Sequence, residues 1–234
     1  MAKELLEKEH YPVVKRWVKR HFRCFRVVVN RGLRIGRIDV LGIRDVGGDY
    51  SGGFESIAVE VKRGHTPFAN AAGQAVGYKV FANRVYLADR REKPFTPDEL
   101  AIASNLGIGL IQFKTKGTTC REALSSPVYQ PIERLQLALF AKLHLGRCQL
   151  CGSLFKLGEP EDGNNWSNVQ TDVALGMALA VKRKKGFLYG LTEIETRKRK
   201  LGLAKDIGEL CNNVRVICPD CVLQVFGSLY KKEK

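Results

Sequence analysis

Three residues in the first third of the chain have the side-chain types and spacing that metal-assisted chemistry needs. Asp39 lies in a predicted strand, and Glu60 and Lys62 lie in the next one, Ser-Ile-Ala-Val-Glu-Val-Lys. Residues two apart in a strand share a face, so Glu60 and Lys62 point the same way. The glycine-rich stretch 45–53 predicts a hairpin that brings Asp39 close to Glu60.

Two neighbouring carboxylates repel each other unless a cation neutralises them. Oxygen ligands suit Mg²⁺ or Mn²⁺, and such an ion acidifies a bound water and stabilises charge on a phosphoryl oxygen. Lys62 would orient or deprotonate that water, or stabilise the transition state. The three residues therefore predict phosphodiester hydrolysis. The alternative is an ordinary half-exposed strand, because Val-Glu-Val-Lys alternation is typical of one.

The elements around these residues predict an α/β fold with a mixed sheet flanked by helices. Residues 3–22 predict an amphipathic helix, which begins near Tyr11 if Pro12 occupies its first turn. Residues 30–32 predict a turn. A break near 127–131 predicts two domains, 1–127 and 128–234. The other predicted strands cover 25–29, 37–43, 56–62, 84–88 and 109–113, and the other helices cover 68–81, 96–106 and 132–145.

The order Asp39, then Glu60-Val61-Lys62, then Gln74-Ala75-Val76-Gly77-Tyr78 resembles the PD-(D/E)XK nuclease superfamily. The last segment is similar to the Q-x-x-x-Y motif of its RecB-like branch, and the resemblance covers about residues 4–113. Ile38 replaces the proline of the family name, at a position that varies within the family. The resemblance implies a restriction-endonuclease-like core in residues 1–127.

The same resemblance implies roles for individual residues. Asp39 and Glu60 would bind the metal, with the backbone carbonyl of Val61 as a third ligand, and Lys62 would act on the water. Gln74 and Tyr78 would contact DNA phosphate or brace the site. Many members carry a glutamate on the first helix, and Glu7 is the first choice because its spacing from Tyr11 and Val14 turns it inward. Glu9 and Glu4 are the rival positions.

The chain has seven cysteines, and four of them form two C-x-x-C pairs. Cys148 with Cys151 and Cys218 with Cys221 predict a structural Zn²⁺ site in a C-terminal, α-rich zinc-binding module. Cys211 is a spare that could replace one ligand. The alternatives are a redox dithiol or reduced cysteines without metal.

The formal net charge of +15 predicts a polyanionic partner, and DNA suits a nuclease core. Two basic runs lie between the cysteine pairs, and the alternative for each is a solvated helix face. The predicted DNA-binding residues are Tyr78 and the members of these runs: Lys182, Arg183, Lys184, Lys185, Arg197, Lys198, Arg199 and Lys200.

Together these features predict a metal-dependent DNA endonuclease of the restriction or repair type. No apolar run is long enough for a membrane span, and residues 1–10 lack the apolar stretch of a signal peptide, so we expect a cytoplasmic, nucleoid-associated protein. A homodimer is compatible with the sequence. Two alternatives stay open: a nucleic-acid-binding protein on a nuclease-like fold that does not cut, and a zinc-ribbon protein of the transcription or translation apparatus.

Overall fold

A six-stranded mixed sheet forms the centre of the computed structural model, which describes residues 6–33, 36–47, 53–114, 119–143, 145–148 and 151–156. The strands lie in the order β1 to β6. The pairs β3–β4 and β4–β5 are parallel, and the remaining neighbours are antiparallel. The predicted mixed sheet is thus confirmed. Its strands are β1 Arg26–Leu33, β2 Gly36–Asp45, β3 Phe54–Lys62, β4 Arg84–Arg90, β5 Gly109–Phe113 and β6 Cys120–Leu124.

Helices flank this sheet, as predicted. Thr96 caps α3 through a hydrogen bond from the Glu99 amide, and the Glu99 side chain accepts from the Thr96 amide, which completes a capping box. A short 3₁₀ helix, Glu7–His10, precedes α1, and another, Gly77–Val80, follows α2. The helices are α1 Tyr11–His21, α2 Phe68–Val76, α3 Pro97–Leu106 and α4 Glu133–Lys142.

Strand β3 runs through the middle of the core, and every residue from Glu55 to Lys62 is buried. On one face α1 contributes Val14 and Val18 to a cluster with Val59 and Val61 of β3. Glu60 and Lys62 alternate with those valines, so they face the other side of the sheet. The strand that carries the predicted site is therefore buried on both faces.

The structure corrects several of the predicted elements, and the helix predicted over 132–145 ends at Lys142. The turn at 30–32 is wrong, because β1 continues and Arg31 pairs with Ile38 of β2. Asn30 adopts a left-handed φ of 50° inside the strand, a conformation that asparagine tolerates better than most residues. The helix predicted over 68–81 changes to a 3₁₀ helix at Gly77. Strand β6 was missed, since its alternating partly buried and exposed residues include no apolar run.

Two compact units divide the chain, and the division falls within α4. The first unit contains residues up to 46 together with 54–136, and carries the whole six-stranded sheet. In the second, β7 Leu145–Arg147 pairs antiparallel with β8 Leu154–Lys156. Within the described ranges, no helix has the length and apolar character needed to cross a membrane.

Glu55 of β3 lies at the centre of a hydrogen-bond network in the first unit. Its Oε2 accepts hydrogen bonds from Arg44 Nε of β2 at 3.0 Å and from Arg84 Nε of β4 at 2.9 Å. Arg84 also donates to the carbonyl of Ser126 at 2.6 Å. Burial by itself would raise the pKa of Glu55, but the hydrogen bonds from Arg84 and Arg44 outweigh burial and hold this pKa below its ordinary value.

We predict that Glu55→Gln lowers the free energy of unfolding by about 2 kcal/mol at pH 7, because charge-assisted hydrogen bonds are lost. A depressed carboxyl pKa contributes stability above the unfolded pKa of about 4.3, and this contribution disappears as pH falls through the folded pKa. Urea denaturation of both proteins at several pH values measures the difference. The difference should narrow below about pH 4, and an equal loss at all pH values would contradict the assignment.

Candidate metal centre

The side chains of Asp39 and Glu60 meet where the pairing of β2 with β3 ends. The ladder runs from Asp45 opposite Phe54 to Val40 opposite Val59. Immediately beyond it, the Val61 amide donates a hydrogen bond of 2.9 Å to Asp39 Oδ2. The hairpin across residues 45–53 therefore brings the two carboxylates together, as the sequence predicted.

Glu7 joins these two carboxylates. One carboxylate oxygen from each of Glu7, Asp39 and Glu60 lies within 4.8 Å of the others. The helical spacing that suggested Glu7 was wrong, and its role in the site stays a prediction. Glu7 lies on the 3₁₀ helix before α1, so it does not share a helix with Val14. The rival Glu9 instead accepts a hydrogen bond from the Leu6 amide.

The donor set fits a hard divalent cation. Three carboxylates offer only oxygen, the ligand that Mg²⁺ and Mn²⁺ prefer. Oxygens on Mg²⁺ lie about 3.0 Å apart at adjacent positions and about 4.2 Å apart at opposite ones, so the three side chains would move closer together on binding. Burial raises the pKa of Asp39, and the nearby charge of Glu60 raises this pKa further. A bound cation would oppose both effects and keep Asp39 ionised.

Lys62 supplies the positive charge of the cluster. Its Nζ lies 2.6 Å from Glu60 Oε1 and 3.4 Å from Glu7 Oε2, and its side chain is 8% exposed. Burial by itself would lower the pKa of Lys62, but the hydrogen bond and charge of Glu60 outweigh burial and raise this pKa. Lys62 is therefore an ammonium that neutralises part of the acidic charge.

Gln74 and Tyr78 differ in what they can contact. Tyr78 lies on the 3₁₀ helix after α2, is buried, and its hydroxyl donates to Glu60 Oε2. The resemblance implied two alternative roles for Tyr78, contacting DNA phosphate or bracing the site, and this contact corresponds to the second. Gln74 is exposed, and with Arg37 it lines a cavity of about 410 Å³ that also contacts Asp39, Glu60 and Lys62. Gln74 is thus the member of the motif placed to meet a ligand.

Tyr11, the first residue of α1, is a component of the site that the sequence did not reveal. Its hydroxyl donates to Asp39 Oδ1 at 2.6 Å, so both oxygens of Asp39 accept a hydrogen bond. Burial and the hydrogen bond to Asp39 raise the pKa of Tyr11, which keeps the phenol protonated as a donor. No residue-type pattern marks this contact, because it joins positions 28 apart.

The predicted zinc ligands are described only in part. Cys148 is buried beside β7, and Cys151 is exposed in the connection to β8. The Gly152 amide donates to the Cys148 carbonyl at 2.9 Å, and the Cys148 amide donates to the Ser153 carbonyl at 2.8 Å. Cys218, Cys221 and the basic runs at 182–185 and 197–200 lie outside the described residues. The zinc site therefore stays a prediction.

Comparison with known proteins leaves the family of this chain open. No protein-family profile matches it, and no curated protein matches it. A solved structure similar to it is a protein of unknown function from Silicibacter pomeroyi. That protein is 20% identical, the match covers 59% of this chain and 84% of the other, and the TM-score is 0.43.

We predict that Tyr11→Phe weakens Mn²⁺ binding by roughly 10-fold to 100-fold, because Asp39 loses the donor that orients one of its oxygens. Isothermal titration of Mn²⁺ into both proteins at constant pH measures the change. Tyr129→Phe is the matched control, since the Tyr129 hydroxyl donates to the Gly107 carbonyl away from the carboxylates. Equal affinities in the two variants would show that Tyr11 does not position Asp39.

Proposed function

We propose that this chain is a Mg²⁺-dependent or Mn²⁺-dependent deoxyribonuclease that hydrolyses phosphodiester bonds as an endonuclease of the restriction or repair type. One observation carries the proposal: Asp39, Glu60 and Lys62 line a single pocket, and the carboxylate of Glu7 joins those of Asp39 and Glu60. These residues come from three separate segments of the chain. The order of motifs that resembles the PD-(D/E)XK superfamily supports the same assignment.

Asp39, Glu60 and Glu7 would hold the metal ion, and the Val61 carbonyl is the further ligand implied by the resemblance. The bound ion supplies an acidified water and a Lewis acid at a phosphoryl oxygen. Tyr11 and Tyr78 hold one carboxylate each in place through their phenol groups. Such preorganisation limits the reorganisation that the reaction requires.

Lys62 would stabilise negative charge on the phosphoryl group or orient the attacking water. Its raised pKa favours these roles over proton abstraction, because an ammonium has no free lone pair. With a cation held by the carboxylates, the Lys62 ammonium would be available to donate to a substrate oxygen. Lys62 therefore acts as a donor, and the nucleophile's proton leaves to solvent or to a carboxylate.

DNA is the proposed substrate because the chain carries a net charge of +15 and the pocket is open to the surface at Gln74 and Arg37. A polyanion is attracted to such a chain over long range. Residues 128–234 are proposed to form the zinc-binding, DNA-binding module that selects where the core cuts. A homodimer and an association with the nucleoid belong to the same proposal.

We predict that Asp39→Asn and Lys62→Met each reduce DNA cleavage by roughly 100-fold or more, because they remove a metal ligand and a donor to the phosphoryl group. Gel assays with Mg²⁺ or Mn²⁺ on linear, nicked, branched and single-stranded DNA measure the cleavage rate. DNA binding, measured with Ca²⁺, should change much less.

Glu7→Gln should reduce cleavage as Asp39→Asn does, and Glu9→Gln supplies the matched control. Both glutamates lie on the same short 3₁₀ helix, but only Glu7 belongs to the carboxylate cluster.

Cleavage by the Asp39 and Lys62 variants at the wild-type rate would refute the proposed centre. Binding without cleavage on every DNA in the panel would favour the non-cutting alternative.

We predict that the purified protein contains one zinc ion per chain, and that Cys148→Ser lowers this content. The burial of Cys148 suits a structural thiolate site, which typically needs four ligands. Elemental analysis by mass spectrometry measures the zinc content, and Cys24→Ser is the control because Cys24 lies in the apolar cluster of the first unit. Zinc-free wild-type protein would contradict the prediction.

A further inference from the structure

His10 carries a buried polar atom that the fold leaves unsatisfied. The residue is 6% exposed, and its Nε2 has no hydrogen-bond partner within the part of the chain that the structure describes. Its ring lies against Phe113 of β5, with 5.4 Å between the ring centroids. A buried polar atom without a partner destabilises the fold, so its presence calls for an explanation.

Arg63 and Arg90 lie near this imidazole. Arg90 of β4 pairs with Phe113, so the two side chains lie on the same face of the sheet. Arg63 directly follows β3, whose last residue, Lys62, pairs with Asp89. Burial lowers the pKa of His10, and the charges of Arg90 and then Arg63 lower it further, while Glu9 opposes them. Both guanidinium groups thus act on His10.

The backbone brings the ends of β3 and β4 into close contact at this position. Gly64 has a left-handed φ of 86°, and a Cβ at that residue would lie 2.3 Å from the Arg90 carbonyl oxygen. A side chain at position 64 would therefore push Arg63 away from Arg90. The glycine permits the chain to turn while keeping the two arginines adjacent.

Neither arginine forms an ion pair with a carboxylate of the described residues. The ion pairs found there use other cations, and the next arginine along, Arg91, is bound to Glu99 at 2.9 Å. Arg63 and Arg90 are both partly buried. Two like charges beside an unsatisfied imidazole are unfavourable in the empty protein, and an anion among them would satisfy all three.

We propose that His10, Arg63 and Arg90 form a binding subsite for a second phosphate group of the nucleic-acid strand. The proposal rests on the proposed function, since it gives the nucleic-acid strand a second contact at the carboxyl ends of β3 and β4. A neutral imidazole donates one N–H to a phosphate oxygen, and the arginines supply the charge.

This phosphate has two possible sources. It is either an internal phosphodiester near the bond that is cut, or a terminal phosphate monoester. Both offer anionic oxygens to the same three side chains, but only the second gives the protein a preference for a phosphorylated strand end. The two sources therefore predict different responses to the removal of a terminal phosphate.

The test measures DNA binding by the full chain, with Ca²⁺ in place of Mg²⁺ so that the DNA stays intact. Fluorescence anisotropy is recorded from 50 to 300 mM salt on labelled DNA with a 5′-phosphate, a 3′-phosphate or hydroxyls at both ends. The test variant is Arg63→Gln/Arg90→Gln. The matched control, Arg16→Gln/Arg20→Gln, removes two exposed charges from α1. His10→Phe removes Nε2 while it keeps a ring against Phe113.

We expect the test variant to bind at least about 10-fold more weakly at 100 mM salt, and its log–log salt slope to fall by roughly 0.9, the value for one lost phosphate contact. The control variant should lose much less affinity, and its salt slope should fall much less. A preference for a phosphorylated end that disappears in the test variant identifies a terminal phosphate, and equal weakening on all DNAs identifies an internal one. Test and control variants that weaken binding equally would overturn the subsite.

The outcome is independent of whether the chain cuts DNA. Wild-type protein that binds through Arg63 and Arg90 but never cleaves would retain the subsite and remove the proposed activity. If the protein cleaves through Asp39 and Lys62, and the two arginine substitutions leave binding unchanged, the proposed activity would stand and the subsite would be refuted. His10→Phe should weaken binding in the same direction as the arginine variant, and unchanged binding would remove His10 from the subsite.

Discussion

Burial of Glu60 and Lys62 in the central strand β3 is the constraint on which the candidate site depends. A charged side chain in the interior is strongly unfavourable unless it is paired and hydrogen-bonded. Lys62 Nζ lies 2.6 Å from one oxygen of Glu60, and the Tyr78 hydroxyl donates to the other. The site is thus a neutralised cluster, which explains how a strand buried on both faces can carry two charged residues.

The segment before α1 completes this cluster from outside the sheet. Glu7 lies on a 3₁₀ helix, and Tyr11 begins the α-helix that follows it. The change of helix type at Tyr11 sets the directions of both side chains, with Tyr11 against Asp39 and Glu7 near Lys62. Two of the groups around the carboxylates therefore depend on how α1 packs through Val14 and Val18, and damage to that packing would also disturb the site.

The charges are arranged in a way that suits a polyanionic substrate with a bound cation. The carboxylates of Glu7, Asp39 and Glu60 lie together and offer oxygen ligands to a cation. Arg63 and Arg90 follow at the carboxyl ends of β3 and β4, where a phosphate group would supply negative charge. The parallel register of β3 and β4 brings these two strand ends together.

The sequence by itself determined the mixed sheet with flanking helices and the meeting of Asp39, Glu60 and Lys62. Alternation in strands and a glycine-rich hairpin are local signals, and the capping box at Thr96 and Glu99 is equally local. Only the tertiary structure decided the contact of Tyr11 with Asp39, the bracing role of Tyr78, and the grouping of His10 with Arg63 and Arg90. These contacts join distant segments through helix packing and strand register, and no residue-type pattern records such distances. The same reason explains the continuation of β1 through residues 30–32, because pairing with β2 outweighs the local turn preference of Asn30, Arg31 and Gly32.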